Sequence, residues 1–187
     1  MPAMGASDNE RFQSDMAERY YRRRLPHWRT DQATYFVTWR LAKSQPDLNP
    51  SERDLVVSSL RNFEGKRYLL TAFVVMNDHV HVLLSMLKPY RLEDVIHSWK
   101  SFVANRMQRD HGRSGHVWQE EYFDRIVRNE NEFAQKFRYI QNNPWTRWPT
   151  LQTYSWVWPA ERVAGRDARP TDTLISAGRE FSQKEKS

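Results

Sequence analysis

The chain has 187 residues, the size of one domain, of which 39% are hydrophobic, and its net charge of +6 favours a phosphate-rich partner only modestly. It contains no cysteine, which excludes disulfides and thiolate-bound metals, so any metal must bind to His, carboxylate, amide or water ligands. Because no apolar stretch could span a membrane and no signal-peptide pattern is present, we expect a cytoplasmic protein without a membrane partner.

The most basic part of the chain runs from Arg19 to Arg29 and holds five arginines, two tyrosines, a histidine and a tryptophan. Guanidinium groups beside aromatic rings are typical of contacts with phosphates and unpaired bases, although a solvated arm could have the same composition. We predict that residues 1–30 form a polar and then basic N-terminal arm. Its predicted DNA-binding residues are Arg22, Arg23, Arg24, His27, Trp28 and Arg29.

The first half of the domain shows three strand patterns and one helix pattern. Residues 34–41 are β-branched and aromatic, which predicts a first strand. Ser51 is the candidate N-cap of a helix whose apolar residues recur at helical spacing. Residues 68–76 and 79–86 then predict two strands, and the two-residue connection Asn77-Asp78 predicts that they form a hairpin.

The second half predicts a helix, a strand and a last helix. Apolar residues follow the helical period between Arg91 and Arg109. Residues 118–127 alternate in the manner of a fourth strand. Residues 130–142 predict the last helix, which we expect Pro144 to stop because proline lacks the backbone donor.

The resulting order β-α-β-β-α-β-α predicts an α+β protein with a ferredoxin-like (RRM-like) fold. This fold has a four-stranded antiparallel sheet with helices packed on one face, to which the chain adds a C-terminal helix. We expect residues 31–159 to form the domain. Residues 160–187 are charged and poorly periodic, which predicts a loosely ordered tail.

His79 and His81 flank Val80 within a predicted strand. Because side chains alternate along a strand, both imidazoles should lie on the same face, about 6–7 Å apart. They could bind one ion together, but the pattern also occurs by chance among ordinary half-buried histidines. A metal site therefore requires a third ligand.

That ligand could come from the last helix. Tyr139 and Asn143 are four residues apart and so lie on one side of the helix. Tyr139 lies more than about 100° from the centre of the apolar face formed by Phe133, Phe137 and Ile140. A tyrosine required only for packing would more often join those residues, although an exposed tyrosine before a helix-ending Asn-Pro remains the alternative interpretation.

The strand motif His-Val-His, followed by a helix that reads Tyr-Ile-Gln-Asn-Asn-Pro from residue 139, resembles the single-tyrosine HUH transposases. Further segments are similar to the branch of REP-associated tyrosine transposases, and the likeness runs from about Tyr20 to Trp158. These segments are Pro26-His27-Trp28-Arg29, Tyr35-Phe36-Val37-Thr38, Val75-Met76-Asn77-Asp78, Val117-Trp118-Gln119-Glu120, Tyr122-Phe123-Asp124-Arg125 and Tyr154-Ser155-Trp156.

The resemblance implies a metal-dependent tyrosine transposase that nicks single-stranded DNA through a 5′-phosphotyrosine intermediate. It assigns Tyr139 as the nucleophile, His79 and His81 as metal ligands and Asn143 as the third ligand. The implied cofactor is a divalent ion, Mg²⁺ or Mn²⁺, with no organic cofactor. Lys136 is a candidate for the group that assists deprotonation of Tyr139. Tyr122, a rival nucleophile by residue type, lacks an asparagine four residues later, and we assign it to structure.

The resemblance also implies a substrate of single-stranded or hairpin DNA, such as REP-like palindromes, cut and rejoined by a monomer or homodimer. Basic residues near the predicted helices are further candidates for DNA contact, although each could equally be a solvated charge: Lys100, Arg125 and Arg128. The alternative function is a non-catalytic module that binds DNA or RNA hairpins. A replication initiator or relaxase would share the chemistry, but these proteins are usually larger.

Overall fold

The computed structural model describes residues 33–159, which contain three helices and five strands in the order β1-α1-β2-β3-α2-β4-α3-β5. The predicted basic arm and the predicted tail lie outside the described residues. The bounds are β1 Thr34–Arg40, α1 Pro50–Arg61, β2 Tyr68–Val75, β3 His79–Met86, α2 Leu92–Asp110, β4 Phe123–Val127, α3 Glu130–Arg147 and β5 Val157–Trp158.

All strand pairs of the sheet are antiparallel, and the strands lie in the order β4-β1-β3-β2-β5. The first four strands have the order expected of a ferredoxin-like fold, so the predicted fold class is confirmed. β5 is an addition: two residues, Val157 and Trp158, pair with the outer side of β2. A strand of two residues is too short to produce a readable alternation, so the sequence did not predict it.

The sheet is covered on both faces. Val37 of β1 and Val82 of β3 belong to the core beneath α1 and α2, on what we call the two-helix face. Their neighbours Phe36 and Leu83 belong to a second core with α3, on the α3 face. Strand alternation places His79 and His81 on the same face as Leu83, so the histidines lie beneath the helix that carries Tyr139.

The start of α1 differs from the prediction. Asn49, not Ser51, is the N-cap: its side chain accepts a hydrogen bond from the Glu52 amide, and the Glu52 carboxylate accepts one from the Asn49 amide. Pro50 then occupies the first helical position, where its missing donor costs nothing. The reciprocal capping box explains why the helix begins two residues earlier than expected.

The end of α3 also differs from the prediction, because the helix continues through Pro144 to Arg147. Pro144 is buried in the α3 core, and its carbonyl accepts a hydrogen bond from the Trp148 amide at 2.8 Å. Packing of this last turn against the sheet therefore outweighs the single hydrogen bond that proline removes.

β4 is shorter than predicted and begins at Phe123. Trp118, the predicted first residue, forms only an isolated bridge with Leu41 and is buried in the two-helix core. Its indole donates to the Lys100 carbonyl, so residues 118–122 follow the surface of α2 before the strand begins. The remaining boundaries agree with the prediction to within a residue or two.

Candidate active site

The two histidines of β3 form the centre of the site. His79 and His81 are buried, and their ring centroids lie 4.7 Å apart at an interplanar angle of 71°. Alternation along β3 accounts for their shared face, as the sequence predicted. Two imidazoles so close together can direct nitrogen atoms to one point.

Each imidazole is oriented by a hydrogen bond at Nδ1. Nδ1 of His79 lies 2.7 Å from the Asp78 carboxylate, to which it must donate because an ionised carboxylate only accepts. Nδ1 of His81 lies 2.6 Å from Oγ1 of Thr38 on the neighbouring strand. Both contacts leave the Nε2 atoms for a further partner, the arrangement by which metal-binding histidines are held.

These orienting residues were not identified from the sequence. Asp78 was interpreted as a turn residue and Thr38 as a strand residue. Only the register, in which Thr38 pairs with His81, brings the hydroxyl to the imidazole. For Asp78 a signal was available, since a carboxylate beside a proposed histidine ligand is a common orienting partner.

The electrostatics keep both imidazoles neutral. Burial lowers the pKa of His81 to about 3, with the neighbouring His79 and Arg40 adding to the effect. Burial also lowers the pKa of His79, although Asp78 opposes the shift. Burial raises the pKa of Asp78, but His79, Arg147 and Arg40 outweigh it and the pKa is lowered. At neutral pH the site therefore presents two neutral imidazoles and one carboxylate.

Tyr139 lies over this pair from α3. Its hydroxyl is 3.4 Å from Nε2 of His81, and its ring meets the edges of His81 and Phe36 at centroid distances of 5.1 and 6.1 Å. Tyr139 as a whole is 50% exposed, although its ring contacts two buried side chains. Tyr139 can be exposed in this way because it lies away from the apolar face of α3, as the sequence predicted.

Two further residues lie on the same side of α3 as Tyr139. Asn143 is half-buried and lies one turn after Tyr139. Lys136 lies one turn before it, with its ammonium 4.6 Å from the centroid of Phe36, a ring that also stacks on His81 at 5.5 Å. α3 thus places a phenol, an amide and a cation along one side.

Within residues 33–159, no three side chains of His, Cys, Asp and Glu are grouped so that they could hold a metal ion. The candidate ligands for a metal ion are therefore the two imidazoles and the amide of Asn143. The histidines fit such a role, because they are neutral, oriented through Nδ1 and have an Nε2 lone pair available.

The three described candidates for DNA contact have different surroundings. Arg125 of β4 pairs with Phe36 in the sheet, so it lies on the α3 face, where it forms a 2.5 Å ion pair with Glu132. Arg128 is exposed just before α3. Lys100 lies on α2, and its ammonium donates to two backbone carbonyls of the loop before β4, so the structure does not bring it to the histidines.

Two other predictions from the sequence concern Tyr122 and the basic arm. Tyr122 packs against the core of the two-helix face, on the opposite side of the sheet from the histidines. The arm residues between 22 and 29 lie outside the described part of the chain.

Every helix within residues 33–159 is too short or too polar to cross a membrane.

The family model for IS200-like transposases matches residues 32–143, more than half of the chain. The chain therefore belongs to the IS200-like transposase family, whose members process DNA. No curated protein is significantly similar to it in sequence.

Two solved structures are similar to the chain. One is a REP-associated tyrosine transposase bound to a REP hairpin, with a TM-score of 0.57, 15% identity and coverage of 71% of this chain and 82% of the other. The second, from Deinococcus radiodurans R1 and assigned to the transposases, has a TM-score of 0.45 and 23% identity, and the match covers 64% of this chain and 96% of the other. The family and the first fold match confirm the resemblance that the sequence motifs indicated.

Proposed function

We propose that the protein is a tyrosine transposase that cuts and rejoins single-stranded DNA at hairpins. The observation that carries this proposal is the hydroxyl of Tyr139, a half-exposed residue, which lies 3.4 Å from Nε2 of the buried, neutral His81. A tyrosine that only packed would not place its hydroxyl at the free nitrogen of an oriented histidine pair.

In the proposed step the oxygen of Tyr139 attacks a backbone phosphorus in line with the leaving 3′-oxygen. The new bond joins this oxygen to phosphorus, the bond from phosphorus to the 3′-oxygen breaks, the phenol loses its proton and the 3′-oxygen gains one. The products are a 5′-phosphotyrosine and a free 3′-hydroxyl. Because the phosphodiester energy is retained, the 3′-hydroxyl of another strand can reverse the step and join the DNA.

A divalent ion would be held by His79, His81 and the amide of Asn143, with oxygen ligands from water and phosphate completing its shell. Such an ion, when bound, polarises the scissile phosphate and offsets its developing negative charge. The donor set contains two neutral nitrogens and an amide, which suits Mg²⁺ or Mn²⁺ with modest affinity.

The chain's own residues provide positioning. Thr38 and Asp78 hold the two imidazoles at fixed angles. Because α3 carries both Tyr139 and Asn143, one rigid element aligns the nucleophile with a ligand. The ammonium of Lys136 lies 4.6 Å from the centroid of Phe36, whose ring also contacts Tyr139, so Lys136 is the proposed group that assists removal of the phenolic proton.

The proposed substrate is hairpin DNA of the REP type, handled by a cytoplasmic monomer or homodimer. Support comes from the family and from the structural neighbour bound to a REP hairpin. The basic arm, Arg125 and Arg128 are the proposed phosphate contacts, to which the net charge of +6 is suited.

The test is covalent capture. The full chain is incubated with Mn²⁺ and a REP-like hairpin that carries a fluorophore at its 3′ end, and the products are separated on a denaturing gel. Wild type should give a labelled protein band, since the 3′ part of the DNA stays on the tyrosine. Tyr139→Phe should abolish this band while leaving thermal stability and hairpin affinity nearly unchanged, because only one oxygen is removed.

Tyr122→Phe is the matched control and should retain the adduct, because Tyr122 lies on the other face of the sheet. An adduct formed by Tyr139→Phe would show that the nucleophile is wrongly assigned. Tight hairpin binding by wild type without an adduct on any hairpin would favour the non-catalytic module.

A further inference from the structure

β4 is an edge strand that carries an exposed aromatic side chain on the face of the site. Phe123 is 55% exposed, the highest value among the large hydrophobic residues described. It pairs with Thr38 across the sheet, and Thr38 pairs with His81. The three side chains therefore form one row on the α3 face, with Phe123 two strand spacings, about 10 Å, from His81.

Guanidinium groups lie on either side of this row. Arg125 is the next residue of β4 on the same face, and its side chain is 54% exposed. Arg40 pairs with His79 on the other side of the row and is also 54% exposed. Asp124, between Phe123 and Arg125, has its side chain on the opposite face. The α3 face thus presents an exposed ring between two accessible cations.

The ion pairs of this strip leave a surplus of positive charge. The cations near the site outnumber the carboxylates that contact them: Arg40, Arg125, Lys136 and Arg147 against Asp78 and Glu132. A positive surface with an accessible aromatic ring has the features of a site for single-stranded nucleic acid, in which phosphates meet cations and bases stack on rings.

Exposed apolar residues are common on protein surfaces, and Ile126 of the same strand is one of them. Ile126 pairs with Tyr35 and lies on the two-helix face. Phe123 differs because it lies in the same row as His81. His81 in turn lies beside Tyr139, the proposed nucleophile. Packing against the two cores does not explain this position, since Phe123 belongs to neither of them.

We propose that Phe123 stacks against an unpaired base of the nucleotides adjoining the scissile phosphate, while Arg40 and Arg125 contact the flanking phosphates. This inference rests on the proposed function and extends it with Phe123 and Arg40, neither of which had a predicted role. The strip then holds the single strand that leaves the hairpin, next to Tyr139.

The experiment measures binding, without cleavage, of the full chain to a DNA hairpin with single-stranded thymidine flanks, by fluorescence anisotropy in EDTA. Phe123→Ala should raise Kd by roughly 5- to 100-fold, the loss expected for one stacked base. Phe123→Trp should retain the affinity, since it keeps a ring. Ile126→Ala, a change of similar exposure on the same strand but the opposite face, should alter Kd by less than about twofold.

Abasic substitutions along the flank then identify the stacked nucleotide. At one position, removal of the base should weaken binding of wild type but not weaken binding of Phe123→Ala any further, because the two changes remove the same interaction. Phe123→Leu keeps the apolar bulk without the ring and should bind as weakly as Phe123→Ala, which separates stacking from folding.

An unchanged Kd for Phe123→Ala, or additive losses at every abasic position, would overturn the proposal. A variant that alters the sedimentation of the protein without altering its affinity for DNA would assign Phe123 to contact between copies of the chain, which would also overturn it. Adduct formation is scored separately on the same hairpin with Mn²⁺. Coupling without an adduct on this or any other hairpin refutes the nuclease and supports the stacking site. An adduct without coupling supports the nuclease and overturns the stacking site.

Discussion

Oγ1 of Thr38 lies 2.6 Å from Nδ1 of His81, and this contact determines which nitrogen of the imidazole faces Tyr139. When Nδ1 donates to the hydroxyl, Nε2 has a free lone pair toward the helix above it. The same lone pair would bind a metal ion, and Nε2 lies 3.4 Å from the hydroxyl of Tyr139 in the structure. One threonine on a neighbouring strand therefore orients the imidazole of His81.

Thr38→Val should lower Mn²⁺ affinity, and with it the rate of adduct formation, by about 10- to 100-fold, because the ring loses its orienting partner. The measurement is calorimetric titration with Mn²⁺. Thr38→Ser should restore the affinity, since it keeps the hydroxyl.

Thr34→Val is the control for Thr38→Val. Thr34 lies on the same strand and face, and its hydroxyl is 2.9 Å from that of Ser85, far from the histidines. Both substitutions should cost about 1 kcal/mol of stability, but only Thr38→Val should affect metal affinity. Equal Mn²⁺ affinities in the two variants would remove Thr38 from the site.

Asn143→Ala should weaken Mn²⁺ binding and slow adduct formation, because it deletes the proposed amide ligand. Asn142→Ala is matched in residue type and lies beside it on α3, but its side chain is exposed and projects about 100° away around the helix. The same calorimetric titration compares the two. A loss of affinity in Asn142→Ala rather than in Asn143→Ala would exclude the proposed donor set.

The most buried ion pair among the described residues joins Arg113 to Glu52, with side chains only 5% and 2% exposed. Burial raises the pKa of Glu52, but Arg113 and the amide of Asn49 outweigh it and the pKa is lowered. The folded pKa is then below the usual 4.5, so the stabilisation is present above that value and is lost as the pH falls through the folded pKa.

Glu52→Gln should destabilise the protein by about 3–5 kcal/mol at pH 7, because it leaves the Arg113 guanidinium buried without its charge partner. The variant should also lose less stability than wild type between pH 5 and pH 3. Urea unfolding at several pH values measures both effects. Asp110→Asn, which removes a carboxylate from surface ion pairs, should change little by comparison. Parallel pH curves for Glu52→Gln and wild type would contradict this account.

The basic arm is proposed to hold DNA rather than to perform chemistry. Changing Arg22, Arg23, Arg24 and Arg29 together to Ala should weaken hairpin binding and flatten its salt dependence by roughly 0.7–0.9 for each phosphate that is no longer neutralised. Affinities measured across a salt series give the slope. Arg106→Ala plus Arg109→Ala, on α2, should leave the slope unchanged. A slope that does not change in the arm variant would mean that the arm binds no phosphate.

The sequence predicted most of the fold because local patterns determine local structure. β3 has the predicted bounds, and the Asn77-Asp78 turn joins it to β2 as predicted, although an irregularity between Leu70 and Ala72 shifts the register farther along. The predicted helix ends were wrong where two capping residues compete, or where tertiary packing outweighs a local preference. Asn49 caps α1 instead of Ser51 because Glu52 completes a reciprocal pair with it, and α3 continues through Pro144 because its last turn is buried.

By itself the sequence determined that His79 and His81 share a face and that Tyr139 lies away from the apolar side of its helix, since both follow from the period of one element. Only the tertiary structure brings the histidine face of β3 and the Tyr139 side of α3 together. Thr38 reaches His81 across 43 residues of sequence, and Phe123 joins their row, only because β1 lies between β4 and β3. Strand order is set by how the whole sheet buries its two faces, and no local period encodes it.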